Sequence, residues 1–141
     1  MKKLVSLSVL VLLVVSFFSV SSTAANKKTS TTVSKSSKVE VYYFHYTRRC
    51  VTCNAVETES IASIAALYPA QYKKGLITFK SVNLDEKGSE ALAAKCKAEG
   101  QALLIISGSK RTDLTDKGFM YAKSSPNKLK AELKKAIDAM Q

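Results

Sequence analysis

The sequence predicts one α/β sandwich domain, and three observations predict it. Short runs rich in β-branched, aromatic and aliphatic residues alternate with segments of helical periodicity. Gly, Pro and small polar residues punctuate the boundaries between them. The resulting order is strand, helix, strand, helix, strand, short strand, helix, which suits helices packed on a sheet better than an all-β fold or a bundle. A length of 141 residues suits a single domain of ordinary size. With 46% hydrophobic residues the chain is neither a disordered tail nor a multi-span membrane protein.

The elements follow in order. Val39 to His45 (VEVYYFH) is short, β-branched and aromatic, and reads as a buried strand. From Cys50 to Tyr68 the period becomes helical, with Ile61, Ile64, Ala65 and Tyr68 at i, i+3, i+4 and i+7 and Leu67 widening the stripe. Pro69 ends that pattern because it lacks an N–H and clashes with the preceding turn. A short polar connection ending at Gly75 leads to a strand over Leu76 to Leu84. Ser89 is the expected cap of a short helix through about Ala98, closed by Gly100. Ala102 to Ser107 (ALLIIS) reads as a strand covered on both faces. Gly108-Ser109-Lys110 then turns the chain back into an edge strand over Arg111 to Leu114. Thr115 to Lys123 is open between loop and short helix. Ser125-Pro126 starts the last helix, whose stripe is Leu129, Leu133, Ala136, Ile137 and Met140.

The first 38 residues stand outside this domain. Residues 1–24 have the three parts of a secretory signal: Lys2 and Lys3, an apolar run from Leu4 to Val20, and Ser22-Thr23-Ala24 for cleavage. Residues 25–38 are Ser, Thr and Lys with almost nothing apolar, and read as a flexible basic linker. The domain is therefore 39–141 and the protein is expected to be exported, periplasmic or extracellular. The net charge of +11 is spread over tail, helix faces and C-terminus without aromatic interleaving. It reads as a solvated basic surface, with no nucleic-acid partner, and with membrane contact only through the signal segment if that is uncleaved.

Composition limits the chemistry. A single His excludes the two-histidine metalloprotease helix. Three Cys are too few for a disulfide-stapled mini-fold or a four-thiolate zinc site. What stands out is Cys50-Val51-Thr52-Cys53 at the strand-to-helix junction. The first cysteine of such a pair faces unsatisfied N–H groups at the positive end of the helix dipole, which favours thiolate, the species that attacks disulfides. Arg48 and Arg49 immediately before it add positive charge. Cys53, one turn in, is expected to be more buried and suited to resolving a mixed disulfide. A CxxC in this setting reads as a redox motif.

At these residues the chain resembles the thioredoxin-like superfamily. VEVYYFH, the helix-start CVTC and the βαββα order that follows carry the resemblance, across Val39 to Gln141 in topology. It implies a three-layer sandwich with a central mixed sheet of about four strands flanked by helices. It also implies thiol–disulfide oxidoreductase activity, with Cys50 as exposed nucleophile, Cys53 as resolving thiol and a thiol- or disulfide-bearing protein or redox enzyme as partner. Within the superfamily, YYFHYTRRCVTCNAVE together with DLTDKGFMYA (Asp113 to Ala122) is similar to a small exported family linked to arsenic-resistance gene clusters and known as nitrophenyl compound nitroreductase subunits. Nitro reduction itself needs a carrier such as flavin. The sequence holds no dinucleotide fingerprint, so no cofactor is expected and the chain at most exchanges electrons with such an enzyme.

The family pattern is not complete here. Gly100-Gln101-Ala102-Leu103 occupies the place of the cis-Pro before the third strand, Val51-Thr52 replaces Gly-Pro, no Trp precedes the motif, and Phe44 takes the buried Asp position. Narrow or slow exchange is expected rather than general disulfide reduction. Two other readings stand beside this one. His45, Cys50 and Cys53 (H-x4-C-x2-C), with Cys96 as a fourth ligand, could hold a soft metal or arsenite. Alternatively the fold is a non-catalytic adaptor with a static disulfide. Cys96 by itself is expected to be a small buried hydrophobe.

Overall fold

The computed structural model describes residues 38–141. The signal segment 1–24 and all of the linker except Lys38 lie outside the described residues. Nine elements follow in chain order: β1 (Val39–His45), α1 (Val51–Leu67), α2 (Pro69–Lys73), β2 (Ile77–Asn83), α3 (Ser89–Cys96), β3 (Ala102–Ser107), β4 (Lys110–Asp113), α4 (Thr115–Tyr121) and α5 (Pro126–Asp138). They form one four-stranded sheet in the order β2-β1-β3-β4. β1 runs parallel to β2 and antiparallel to β3, and β3 is antiparallel to β4. This is an α/β sandwich with a mixed sheet.

Side-chain alternation along β1 builds both halves of the core. Val39, Val41 and Tyr43 point to the layer that holds Val56 and Ile64 of α1 and Leu129, Leu133 and Ile137 of α5. Tyr42 and Phe44 point the other way, to Ala93 and Cys96 of α3. A strand buried on both faces carries little polar alternation, which is why VEVYYFH, Glu40 apart, and ALLIIS are so largely apolar. α4 reaches the sheet closely at Gly118, where a Cβ would lie 3.2 Å from Leu103 Cδ2 and 3.3 Å from Val56 Cγ1.

Several expectations are corrected. The connection after Pro69 forms the short helix α2, with Pro69 at the first-turn position it tolerates. The inward face of α1 is Cys53, Val56, Ser60, Ser63 and Ile64, while Ile61 is exposed and Ala65 half-buried. Small serines let α1 lie against its neighbours, so the apolar stripe alone misplaces the helix face. Gly88, at φ +93°, caps α3 in place of Ser89, whose hydroxyl instead donates to the Leu84 carbonyl at 3.1 Å. The helix ends at Cys96, before Ala98. The turn that Gly100 was expected to supply is taken by Lys97, in the left-handed region at φ 54°. Arg111 on β4 braces this end, its Nε donating to the Cys96 carbonyl at 3.0 Å and its Nη2 to the Lys97 carbonyl at 3.3 Å. A cation on the last carbonyls of a helix also complements its dipole.

A lysine held left-handed carries strain that glycine does not. Lys97→Gly is therefore expected to stabilise the fold by about 0.5–1 kcal/mol, after the extra unfolded-state entropy of glycine is subtracted. Urea denaturation checks this; an unchanged or lower midpoint would contradict it.

Candidate functional site

The two cysteines meet where β1 gives way to α1. Cys50 is the N-cap of α1, with extended backbone at φ −79° and ψ 166°, and its Sγ accepts the Cys53 N–H at 3.1 Å. Its carbonyl accepts the Asn54 N–H at 3.1 Å, the first bond of the helix. The sulfur thus takes the position that a Ser or Asp oxygen usually takes at a cap. Cys50 and Cys53 are joined by a disulfide across a Cα–Cα distance of 5.1 Å. Cys50 is exposed, and Cys53 is 4% exposed. Cys53 is thus the more buried of the two.

The loop that delivers Cys50 is fixed from two sides. The Thr47 N–H donates to Asp85 Oδ2 at 2.7 Å, and the Leu84 N–H donates to the His45 carbonyl at 2.7 Å, so the chain following β2 holds the chain following β1. Tyr46 lies exposed across Gly100, where a Cβ would stand 3.7 Å from its Oη. Val51, inside the motif, is 70% exposed. Gln101 places its Oε1 4.0 Å from Cys53 Sγ, in the stretch before β3 where the family pattern has a cis-Pro. Among the described residues no peptide bond is cis. A groove of about 550 Å³ opens beside Gln101, along Lys97, Glu99, Asp116 and Lys117.

A polar cluster gathers around Arg49, next to Cys50 in the chain. Arg49 pairs with Glu57, one turn beyond Cys53, and its guanidinium lies 5.7 Å from the centre of the Tyr43 ring. His45 Nδ1 is 2.9 Å from the Tyr46 carbonyl oxygen, and its Nε2 is 2.9 Å from Ser81 Oγ. Burial pushes the Glu57 carboxyl up, but hydrogen bonds from Arg49 and Ser81 and the charges of Arg49 and His45 outweigh it and hold the group below the 4.5 of an ordinary glutamate. Burial pushes the Tyr43 phenol up despite the Arg49 charge beside it. Tyr43 Oη and Arg49 Nε are buried with no hydrogen-bond partner. Arg48 remains exposed.

The structure does not assemble the alternative ligand set. Cys96 is buried beside Tyr42 and Phe44, on the sheet face opposite the one α1 covers, and burial raises its thiol pKa. Both ring nitrogens of His45 are already engaged. Among the described residues no three His, Cys, Asp or Glu side chains are grouped to hold a metal ion. His45, Cys50, Cys53 and Cys96 are therefore not brought together here, because the sheet lies between Cys96 and α1. Phe44, at the family's buried-acid position, is fully buried in the same apolar layer as Cys96. Glu57, Ser81 and Gln101 were not singled out from the sequence. Two of them had a signal there: Glu57 stands four residues after Cys53 on a helix and so on its side of it, and Gln101 lies in the stretch before the third strand already compared with the family pattern.

Because Glu57 has a lower pKa folded than unfolded, its carboxylate contributes stability above about pH 4.5, lost as the pH falls through its folded value. Glu57→Gln is expected to lower stability at pH 7 and to flatten the decline as the pH falls below about 4.5. The remaining decline belongs to other carboxylates held low, Asp113 and Glu40 among them. Urea midpoints across that range check this, and an equally steep variant would contradict it.

No family model and no curated protein matches the sequence. Among solved structures the chain is similar to oxidised thioredoxin O2 from Arabidopsis thaliana, at 19% identity and a TM-score of 0.49, over 70% of this chain and 75% of that one. It is also similar to a structure described as a malarial protein, at 25% identity and a TM-score of 0.44, over 70% of this chain and 96% of that one.

Proposed function

We propose that the protein is an exported thiol–disulfide oxidoreductase, or the electron-transfer partner of a redox enzyme, working through Cys50 and Cys53. The observation that carries this reading is the capping geometry, with an exposed Cys50 whose sulfur accepts the Cys53 N–H in the first turn of a 17-residue helix and a buried Cys53 bonded to it. In the reduced protein a Cys50 thiolate on this cap is stabilised by the N–H groups and the dipole. It attacks one sulfur of a partner disulfide, forming a mixed disulfide while the other partner sulfur leaves as thiolate. Cys53 then loses its proton and attacks Cys50 Sγ. The Cys50–Cys53 bond forms, the second partner sulfur leaves, and the partner has gained two electrons that the CxxC pair has lost. The same steps run in reverse when the partner is the stronger reductant.

Tyr46 and Val51, near Cys50 in the chain, are exposed and open to a partner, and the motif's departures from the family pattern support a narrow range of partners. The resemblance of the motif region to the arsenic-cluster-associated family supports the same view, with a single redox enzyme as the natural partner. Arg48 and Arg49 are supporting residues in this reading, and the signal-like first 24 residues support an extracytoplasmic site of action. No helix among the described residues is long and apolar enough to cross a membrane.

Cys50→Ser is expected to abolish exchange with a small disulfide substrate. Cys53→Ser should accumulate a stable mixed disulfide on Cys50, seen as an added mass that reductant removes. Cys96→Ser should leave exchange within about twofold of the wild type, as expected for a residue remote from the exchanging sulfurs. Full exchange by the Cys50→Ser protein would overturn the reading.

A further inference from the structure

Arg49 adjoins Cys50 in the chain, yet its guanidinium is not free to act on that sulfur alone. It is paired with Glu57 and stacked over Tyr43. Glu57 follows Cys50 and Cys53 at the i+7 and i+4 positions, so all three share one side of α1. The Arg49 and Glu57 side chains are 20% and 21% exposed, so solvent screens their fields less than it screens surface charges. The redox pair therefore stands beside an ion pair, where the sequence suggests a bare cation. We infer that Glu57 is a positioning residue for the Cys50–Cys53 couple, offsetting the Arg49 cation and so biasing the couple toward the disulfide.

This inference rests on the redox reading above and extends it to the position of the equilibrium. Reduced protein and glutathione disulfide interconvert with oxidised protein and two glutathiones, two electrons and two protons passing to glutathione. A negative charge on Cys50 exists only on the reduced side, so net positive charge nearby favours the dithiol and net negative charge favours the disulfide. Arg49 Nε and Tyr43 Oη lack other partners. Removing the Glu57 charge thus leaves the cation uncompensated beside the motif. Removing the Arg49 charge leaves the carboxylate uncompensated, with Ser81 and His45 as its remaining neighbours.

The test is a glutathione equilibrium on the full chain, quenched by alkylation and counted by intact mass, with Cys96 contributing one constant thiol. Glu57→Gln is expected to shift the equilibrium toward the dithiol by roughly tenfold, about 30 mV in potential. Arg49→Gln should shift it toward the disulfide by a similar factor. The double variant should return to within about threefold of the wild type, because the two charges offset one another. A merely structural role would not give shifts of opposite sign. Either single variant decides alone through its direction, so the test survives a failure of the other to fold. Two single variants that shift the same way, or that do not shift, overturn the inference. If the wild type equilibrates normally in that case, the redox reading stands. A wild-type pair that glutathione cannot reduce overturns both.

Discussion

The structure depends on one hand-over, from the C-terminal end of β1 to the first turn of α1. A helix start leaves backbone N–H groups without partners, and something must satisfy them. Here the Cys50 sulfur does so, accepting from Cys53 at 3.1 Å. That contact fixes the spacing of the two cysteines, directs Cys50 to solvent and turns Cys53 inward. It also makes the cap and the redox couple the same atoms. Reduction exchanges a covalently held cap for a thiolate cap, so the chemistry and the helix end respond together.

The rest of the fold holds that junction still. β1 is one of the two inner strands, hydrogen-bonded to β2 on one side and β3 on the other, so its end is held from both sides. Asp85 and Leu84 fasten the loop from the β2 side, and Gln101 approaches Cys53 from the start of β3. At the far end of α1, Tyr68 donates to Asp138 Oδ1 at 2.5 Å and ties the helix to α5. The phenol pKa is pushed up by burial and by the Asp138 carboxylate it serves. One end of α1 is thus anchored by the core, while the other carries the exposed Cys50.

The fold was legible because its signals are local. Two largely apolar strands, a proline and a helix period are enough to order the elements, and CVTC marks its own junction. The inward face of α1 was less legible, because Ser60 and Ser63 are buried and Ile61 is not. Helical hydrophobicity cannot register a face made of small polar residues. The end of α3 was misplaced for a related reason. The sequence offers Gly100 as a stop, but the chain turns three residues earlier at Lys97, which Arg111 braces from β4. The polar cluster was hidden by register: Ser81 reaches His45 only because β2 lies beside β1 with Tyr43 opposite Ser81. Cys96 shows the opposite limit. Spacing alone permits a ligand set with the motif, and the intervening sheet removes it.

The most direct measurement is the pH dependence of alkylation of the reduced protein, with each cysteine followed by peptide mass. A sulfur that caps a helix is expected to react as thiolate well below the ~8.5 of a free thiol, while the buried sulfur of the pair stays slow. Cys50 should therefore label first, with an apparent pKa at least about one unit below that value, and Cys53 should lag across the range. Cysteines that label together, at or above the free-thiol value, would contradict the account.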